Sequence, residues 1–312
     1  MRALVVSNMQ PDAAHPARGR FVRDQVTALR ALKGLDVELF EFPPGPRALV
    51  GAFAALRTAY RGRPPFDVVH AHFGLTAWPA LAVPARVRAL TMHGTDLADP
   101  RTRLATRAVL GRIDLPAAVS AELAARIPGP ARARAAVLPC GVDTGRFRPL
   151  PRAAARAELG LPAGGPVLLF PADPGRPEKR HDRAVGLARE VGAELVALEN
   201  VEPERVPLYV NAASAVVVPS EREGFGLAVL EALACDVPVL ATPVGVHAEA
   251  LAGVAGTLCA PFEPAVWSRA LAPHLATEDP RIAGRAAAER FSAAAMAARV
   301  REAWTRATGD SR

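Results

Sequence analysis

Short apolar runs alternate with stretches of helical period along the whole chain. Residues 3–8 read as a buried strand, a loop with Pro11, Pro16 and Gly19 follows, and Val22, Val26, Leu29 and Leu32 then recur at helical spacing. Val37–Phe42, Asp67–Phe73, Ala89–Met92, Ile113–Ser120 and Ala135–Leu138 read as further strands, with helical patterns between them. A break over Gly141–Pro151 comes next, and then the alternation restarts. Helices are expected at 152–160, 181–191, 206–213 and 227–235, and over most of 264–308. Between them fall strands Val167–Phe170, Glu194–Leu198, Ala215–Val218, Val237–Leu240 and a short one at Thr257–Cys259. Strands alternating with helices predict parallel sheets covered on both faces. Two successive units of about 150 residues predict an α/β fold of two Rossmann-like domains. Ligands of such sheets bind at the carboxyl ends of the strands.

Composition adds to this picture mainly through charge. The chain has 312 residues, 50% hydrophobic, enough for each half to bury a core, and its prolines and glycines are dispersed. Net charge is +7 and unevenly placed: residues 1–150 hold 21 Lys/Arg against 11 Asp/Glu, residues 151–312 hold 17 against 20. A basic first half suits anionic partners, from phosphorylated substrates to an anionic membrane surface, and equally describes an ordinary arginine-rich surface. No nucleic-acid partner is expected, because neither a recognition motif nor interleaved aromatics accompany the charge. Cys140, Cys235 and Cys259 are odd in number and widely spaced, which argues against a disulfide framework or zinc site. The N-terminal apolar run is too short for a signal peptide. Residues 68–85 lack Asp, Glu, Lys and Arg, yet His70, His72, Gly74, Pro79 and Pro84 fit a strand, a turn and a short helix rather than a membrane span. The expected location is cytoplasmic, with room for peripheral contact at the inner face of a membrane.

Candidate chemistry concentrates between the strand at 215–218 and the helix at 227–235. There the chain reads Pro219-Ser220-Glu221-Arg222-Glu223-Gly224-Phe225-Gly226-Leu227, continuing to Glu231-Ala232. Gly224 and Gly226 let the backbone turn tightly and approach a ligand. The helix start then offers unpaired N–H groups and a dipole, which together favour a phosphate. Glu231 falls five to six residues beyond Phe225–Gly226, roughly 7–9 Å at 1.5 Å per residue, within reach of ribose hydroxyls of a nucleotide seated on the helix end. Glu223 precedes the helix, where it can accept hydrogen bonds from sugar hydroxyls. Taken alone, the two glycines and two glutamates read equally as a solvated turn, or as the acid/base pair of a glycoside hydrolase. A hydrolase needs no phosphate-binding helix end and no basic clamp. Arg176 and Lys179, after the strand at 167–170, supply such a clamp for a departing nucleoside diphosphate.

Together these stretches resemble glycosyltransferase family 4, a retaining family with the GT-B fold. The likeness runs through Arg176-Pro177-Glu178-Lys179, Val206–Ala213, Pro219–Ala232 and Pro238–Gly245. In the first half it includes Arg18–Gln25, His93-Gly94-Thr95-Asp96, Leu138–Asp143 and Phe147-Arg148-Pro149. The Glu223/Glu231 pair matches the family's glutamate–seven–glutamate signature. The resemblance implies two domains facing across a cleft, 1–148 and 149–290, with a C-terminal helix, 291–312, crossing back to the first. It implies retaining transfer of a hexosyl or N-acetylhexosaminyl group from a nucleoside diphosphate sugar to a hydroxyl of a glycan, lipid-linked or small-molecule acceptor, as in cell-envelope glycan synthesis. A UDP-sugar comes first and GDP-mannose second, on family frequency. By the same resemblance Glu231 binds the donor ribose, Glu223 binds sugar hydroxyls, and Lys179 with an arginine holds the diphosphate. Gly224 and the amides of Phe225, Gly226 and Leu227 add to that grip. His93 contacts the transferred sugar, Gly19 lines the cleft, and Glu199, Asn200 and Val201 fall where the family holds the base. The leaving diphosphate helps to deprotonate the acceptor, and Lys179, Arg176 and the helix start at 225–227 offset its growing charge, so no cofactor and no divalent metal are expected.

The chain also departs from the family pattern. The family's phosphate arginine stands five or six positions before the lysine; here Pro174 and Asp173 occupy those places, leaving Arg176 as the candidate. Asp236 stands where a glycine is usual, and Val246 replaces a glycine that commonly follows Gly245. The displaced arginine, with the tight connections around 98–114 and 199–206, motivates an alternative, a catalytically reduced nucleotide-sugar-binding partner protein of the same fold. His70 and His72, two apart on a strand, share a face, and with His93 and Asp96 they are the nearest approach to a metal set. Missing cysteines and a further carboxylate argue against that reading. Trp78, Trp267 and Trp304 read as packing residues, and His247 is assigned no role.

Overall fold

The computed structural model describes residues 1–309, in two compact units: Met1–Gly141 joined by the chain from Ala293, and Val142–Ser292. The first unit carries strands β1 (Arg2–Ser7), β2 (Asp36–Glu41), β3 (Phe66–His72), β4 (Ala85–Met92), β5 (Leu115–Ala118) and β6 (Ala136–Val137). All pair in parallel, in the order β2-β1-β3-β4-β5-β6. Helices α1 (Arg20–Arg30), α2 (Pro46–Tyr60), α3 (Ala77–Ala80), α4 (Thr95–Ala98), α5 (Pro100–Val109) and α6 (Ala121–Ala125) link them. β1 is buried continuously from Ala3 to Ser7, as a parallel strand covered on both faces must be. Val22, Val26 and Leu29 of α1 share a core with Met296, Ala297, Val300, Ala303 and Trp304 of the C-terminal helix Ala293–Thr308.

The second unit begins with α7 (Arg152–Leu159). It continues through β7 (Val167–Phe170), α8 (His181–Glu190), β8 (Glu194–Ala197), α9 (Val206–Ala212), β9 (Ala215–Val218) and α10 (Leu227–Ala234). It ends with β10 (Val239–Ala241), α11 (His247–Leu251), β11 (Leu258–Cys259), α12 (Pro264–Leu275) and α13 (Arg285–Glu289). Its parallel sheet runs β11-β10-β9-β7-β8, with β7 and β9 wholly buried at its centre. Leu168, Phe170, Leu187, Val217, Leu240, Trp267 and Leu271 form its core. The strand expected from Val237 starts only at Val239, because the Val237 amide first bonds the Ala232 carbonyl and closes the end of α10.

The units change at Gly141/Val142 and Ser292/Ala293, not at 148/149 and 290/291. Backbone pairing explains the difference: Val142 donates to the Phe291 carbonyl at 2.9 Å and bridges Ser292. The segment that follows is also tied to the second unit. Asn211 of α9 accepts the Leu150 N–H at 2.8 Å and donates to the Arg148 carbonyl at 3.0 Å. Positions 310–312 of the expected C-terminal segment lie outside the described residues. Among the described residues, no helix is long and apolar enough to cross a membrane.

Candidate functional site

β7 and β9 are neighbours, so the loops leaving their carboxyl ends, 171–180 and 219–226, lie side by side. The Glu221 amide ties them by donating to the Glu178 carbonyl at 2.9 Å. Arg183 adds bonds to the Pro219 carbonyl at 3.2 Å and to Glu221 at 3.1 Å, and Arg180 also pairs with Glu221. That strapping brings Lys179 Nζ to Glu223 Oε2 at 2.5 Å, with the two side chains 13% and 8% exposed. The Ser220 hydroxyl donates to the other Glu223 oxygen at 2.8 Å. Both oxygens of a nearly enclosed carboxylate are thus engaged, one of them in a charge-assisted bond.

The chain then turns into α10 through Gly226, whose φ of 105° is left-handed. A Cβ there would overlap the ring of His247, so conformation and space both demand glycine. No side chain caps α10. Among the described residues, the amides of Phe225, Gly226 and Leu227 donate no hydrogen bond, which leaves a row of donors at a helix start. The loop 242–247 backs this turn. Val246 donates to the Phe225 carbonyl at 2.8 Å, and the Thr242 hydroxyl donates to the Ser220 carbonyl at 2.5 Å. His247 is fully buried, with Nδ1 2.8 Å from the Thr242 carbonyl. A carbonyl only accepts, so Nδ1 carries the proton and Nε2 faces Gly226 as a lone pair. Burial holds His247 below the usual histidine range against the opposing charge of Glu223. Glu231 sits on α10, partly exposed.

Not every expected residue joins this group. Arg176 is 55% exposed, and its guanidinium is engaged at 2.6 and 3.0 Å by Glu178, two positions along the same loop. Just before it, the Gly175 amide donates to the Asp173 carboxylate at 2.7 Å in a tight turn. Glu199 and Asn200 are exposed and Val201 partly covered, in the loop after β8, an edge strand; Asn200 has a left-handed φ of 51°. Arg180 and Arg183, which strap the two loops through Glu221, were not singled out from the sequence. Their spacing of three around a helix start was the available signal. Asp236 has a left-handed φ of 56°, the conformation that makes glycine usual at this place. It compensates by accepting the amides of Gly284 at 3.0 Å and Arg285 at 2.8 Å, at the start of α13. Val246, at φ −86°, needs no glycine.

In the first unit, Gly19 caps α1 with φ 69°, and a Cβ there would overlap the Met9 carbonyl oxygen. His93 follows β4, its ring 4.9 Å from that of Phe21. His93 Nε2 lies 3.0 Å from Nδ1 of the buried His72. Asp96 is buried and spends its two oxygens on the backbone, accepting the amides of Gly74 and of His93, the latter at 2.6 Å. Burial nevertheless pushes Asp96 up to about 6. Burial also drives His70 down to about 3 and His93 to about 4, and His72 well below the usual range.

Known proteins resemble both units. A family model described as Glycosyltransferase Family 4 matches residues 2–146, and one described as Glycosyl transferases group 1 matches residues 175–294. The D-inositol 3-phosphate glycosyltransferase of Thermobispora bispora is 33% identical, the alignment covering 78% of this chain and 71% of that protein. Its counterpart in Nocardia farcinica is 31% identical, over 69% of this chain and 60% of that protein. Among solved structures, sucrose-phosphate synthase from Thermosynechococcus elongatus superposes with a TM-score of 0.75 at 20% identity, covering 100% of both chains. Anabaena Alr3699/HepE in complex with UDP-glucose gives 0.69 at 16% identity, over 98% of this chain and 100% of that one. The structural likenesses carry the fold, two parallel-sheet α/β domains of the GT-B type.

Proposed function

The chain belongs to glycosyltransferase family 4, and on that footing we propose that it moves a sugar from a nucleoside diphosphate sugar to an acceptor hydroxyl, with retention at the anomeric carbon. The observation that carries this reading is the conjunction at 223–227: a Lys179–Glu223 pair beside a turn only glycine fits, leading to helix-start amides that find no acceptor among the described residues. A diphosphate would supply those acceptors, and the helix dipole would favour its charge. Glu231, about one turn along α10, would hold the ribose, and Glu223 the hydroxyls of the donor sugar. As the bond to the sugar breaks, charge grows on the leaving diphosphate. Lys179 and the amides of Phe225, Gly226 and Leu227 offset that charge more strongly in the transition state than before it. An oxygen of the same diphosphate takes the acceptor's proton. The family role of the residue at 93 is contact with the transferred sugar. No step needs a cofactor or divalent cation.

A UDP-sugar is the first donor candidate, supported by the UDP-glucose complex of the Anabaena neighbour, and GDP-mannose the second. The transferred group is a hexosyl or N-acetylhexosaminyl unit. For the acceptor, the names of the relatives and the basic first half favour a small phosphorylated polyol over a glycan or lipid-linked hydroxyl. A lipid-linked acceptor would turn the same charge toward an anionic membrane surface. The exposed Arg176–Glu178 fork favours a second reading, a nucleotide-sugar-binding partner with reduced catalysis.

A thermal-shift panel of UDP-, GDP-, ADP- and dTDP-sugars, run in EDTA, tests the reading. One nucleotide class should stabilise the chain by about 2.7 kcal/mol at a hundredfold excess over its Kd, and Glu231→Ala should erase the shift. No shift with any class overturns the reading. Binding without release of nucleoside diphosphate, across phosphorylated and unphosphorylated polyols, favours the partner role.

A further inference from the structure

Three histidines at the carboxyl end of the first sheet form a stack that the reading above does not use beyond His93. His70 and His72 alternate on β3 and project to one face, their ring centroids 4.8 Å apart. His93 continues the stack, its centroid 5.2 Å from that of His72. His70 and His72 are 0% and 1% exposed, so their protons must be settled by protein partners rather than water. A neutral imidazole has one donor nitrogen and one acceptor nitrogen, and each bond therefore constrains the other side of its ring.

One end of the stack is determined outright. The Trp304 indole can only donate, and it donates to His70 Nδ1 at 3.2 Å. That nitrogen holds the lone pair, so the His70 proton sits on Nε2 and is donated to the Thr91 hydroxyl oxygen at 2.7 Å. Burial keeps this ring uncharged.

The next bond, His72 Nδ1 to His93 Nε2 at 3.0 Å, has one proton between two nitrogens. Were His93 to supply it, neutral His72 would carry its own proton on Nε2. That nitrogen is enclosed and meets no partner among the described residues. An enclosed N–H without an acceptor is the rarer defect, and it costs about 1–3 kcal/mol. With His72 as donor, the enclosed Nε2 is only an unused lone pair.

We propose that His72 is a positioning residue, donating from Nδ1 to His93 Nε2 and so holding His93 as a neutral imidazole whose one proton is on Nδ1. The consequence for catalysis rests on the family role of His93 in the proposed function. His93 would then offer the sugar a single N–H, which a hydroxyl oxygen accepts, and would bring no charge to the site.

The test is imidazole nitrogen NMR on the ¹⁵N-labelled full chain near neutral pH, without ligand, where two-bond proton–nitrogen correlations separate the two tautomers. In the unaltered chain His72 and His93 should both show the proton on Nδ1, and His70 on Nε2. His72→Asn, whose amide nitrogen stands near the place of Nδ1, should keep His93 in that state. His72→Phe should release His93 to mixed tautomers and lower turnover about five- to tenfold, with nucleoside diphosphate affinity unchanged. A proton on His93 Nε2 in the unaltered chain, or a His93 tautomer indifferent to His72→Phe, overturns the proposal. If His72→Phe fails to fold, the spectrum of the unaltered chain still decides. The measurement needs no donor or acceptor, so a chain that binds no nucleotide sugar yet shows this pattern loses the functional reading and keeps the inference.

Discussion

Lys179 and Glu223, at 13% and 8% side-chain exposure, have little water to replace a lost partner. Lys179→Ala would remove the charged partner of Glu223 and leave it the Ser220 hydroxyl. Breaking a buried pair in this way should lower stability by about 3 kcal/mol in urea titrations. In the proposed reaction it should also lower kcat by roughly 10²–10³, the scale of losing one group that stabilises developing charge. Unfolding and turnover both near wild type would remove the pair from the site. Gly226→Ala should cost nucleotide affinity, because alanine resists a φ of 105° and its Cβ overlaps His247. Calorimetry against UDP reads this directly, and undiminished binding would show that the turn does not approach the ligand. The turn at Gly226 ahead of a helix was legible in the sequence because its meaning is local: a tight turn before a helix needs particular residues at particular spacings. The engagement of Arg176 by Glu178 was not legible, since a motif records which side chains are near in sequence and not which partner each selects.

At the scale of elements, the central strands were the most legible. β7 and β9 fall on the spans their apolar runs mark, because a strand covered on both faces has nothing but apolar residues to offer. Strand ends were less so, as at Val237, where a helix-closing bond takes the amide a ladder would have used. The C-terminal helix shows how an element can serve a site from far along the chain. Its Trp304 is fully buried in the first unit's core and fixes the tautomer of His70. Trp304→Ala should therefore destabilise the first unit by about 3–5 kcal/mol, the usual scale for a large aromatic removed from a core. Chemical denaturation measures it, and a loss under 1 kcal/mol would mean that the helix is not an integral part of that core.

For the molecule as a whole, the histidine stack implies a pH dependence of known sign. Unfolded, the three rings bind protons near pH 6.5; folded, His70 does so only at about 3, His93 at about 4, and His72 well below its usual range. Their contribution is complete above pH 6.5 and is lost as pH falls toward 4. Asp96 opposes them, since its folded value of about 6 exceeds the unfolded 3.8, so the folded chain takes up that proton first. Three protons against one leave two more protons bound by the unfolded chain, so stability falls as pH falls through this window. The urea midpoint should accordingly fall between pH 7 and pH 5; an unchanged midpoint would mean that the stack already carries charge when folded. Sequence alone determined the alternating architecture, the two-unit organisation and the turn at Gly226 that leads into α10, because periodicity and turn chemistry act between residues close along the chain. Only tertiary structure decided that Lys179 meets Glu223, that Asp96 is spent on backbone amides, that the units change at 141/142 and that Trp304 speaks to His70. Those outcomes depend on which buried polar groups find partners, and that competition is resolved only once distant segments pack together.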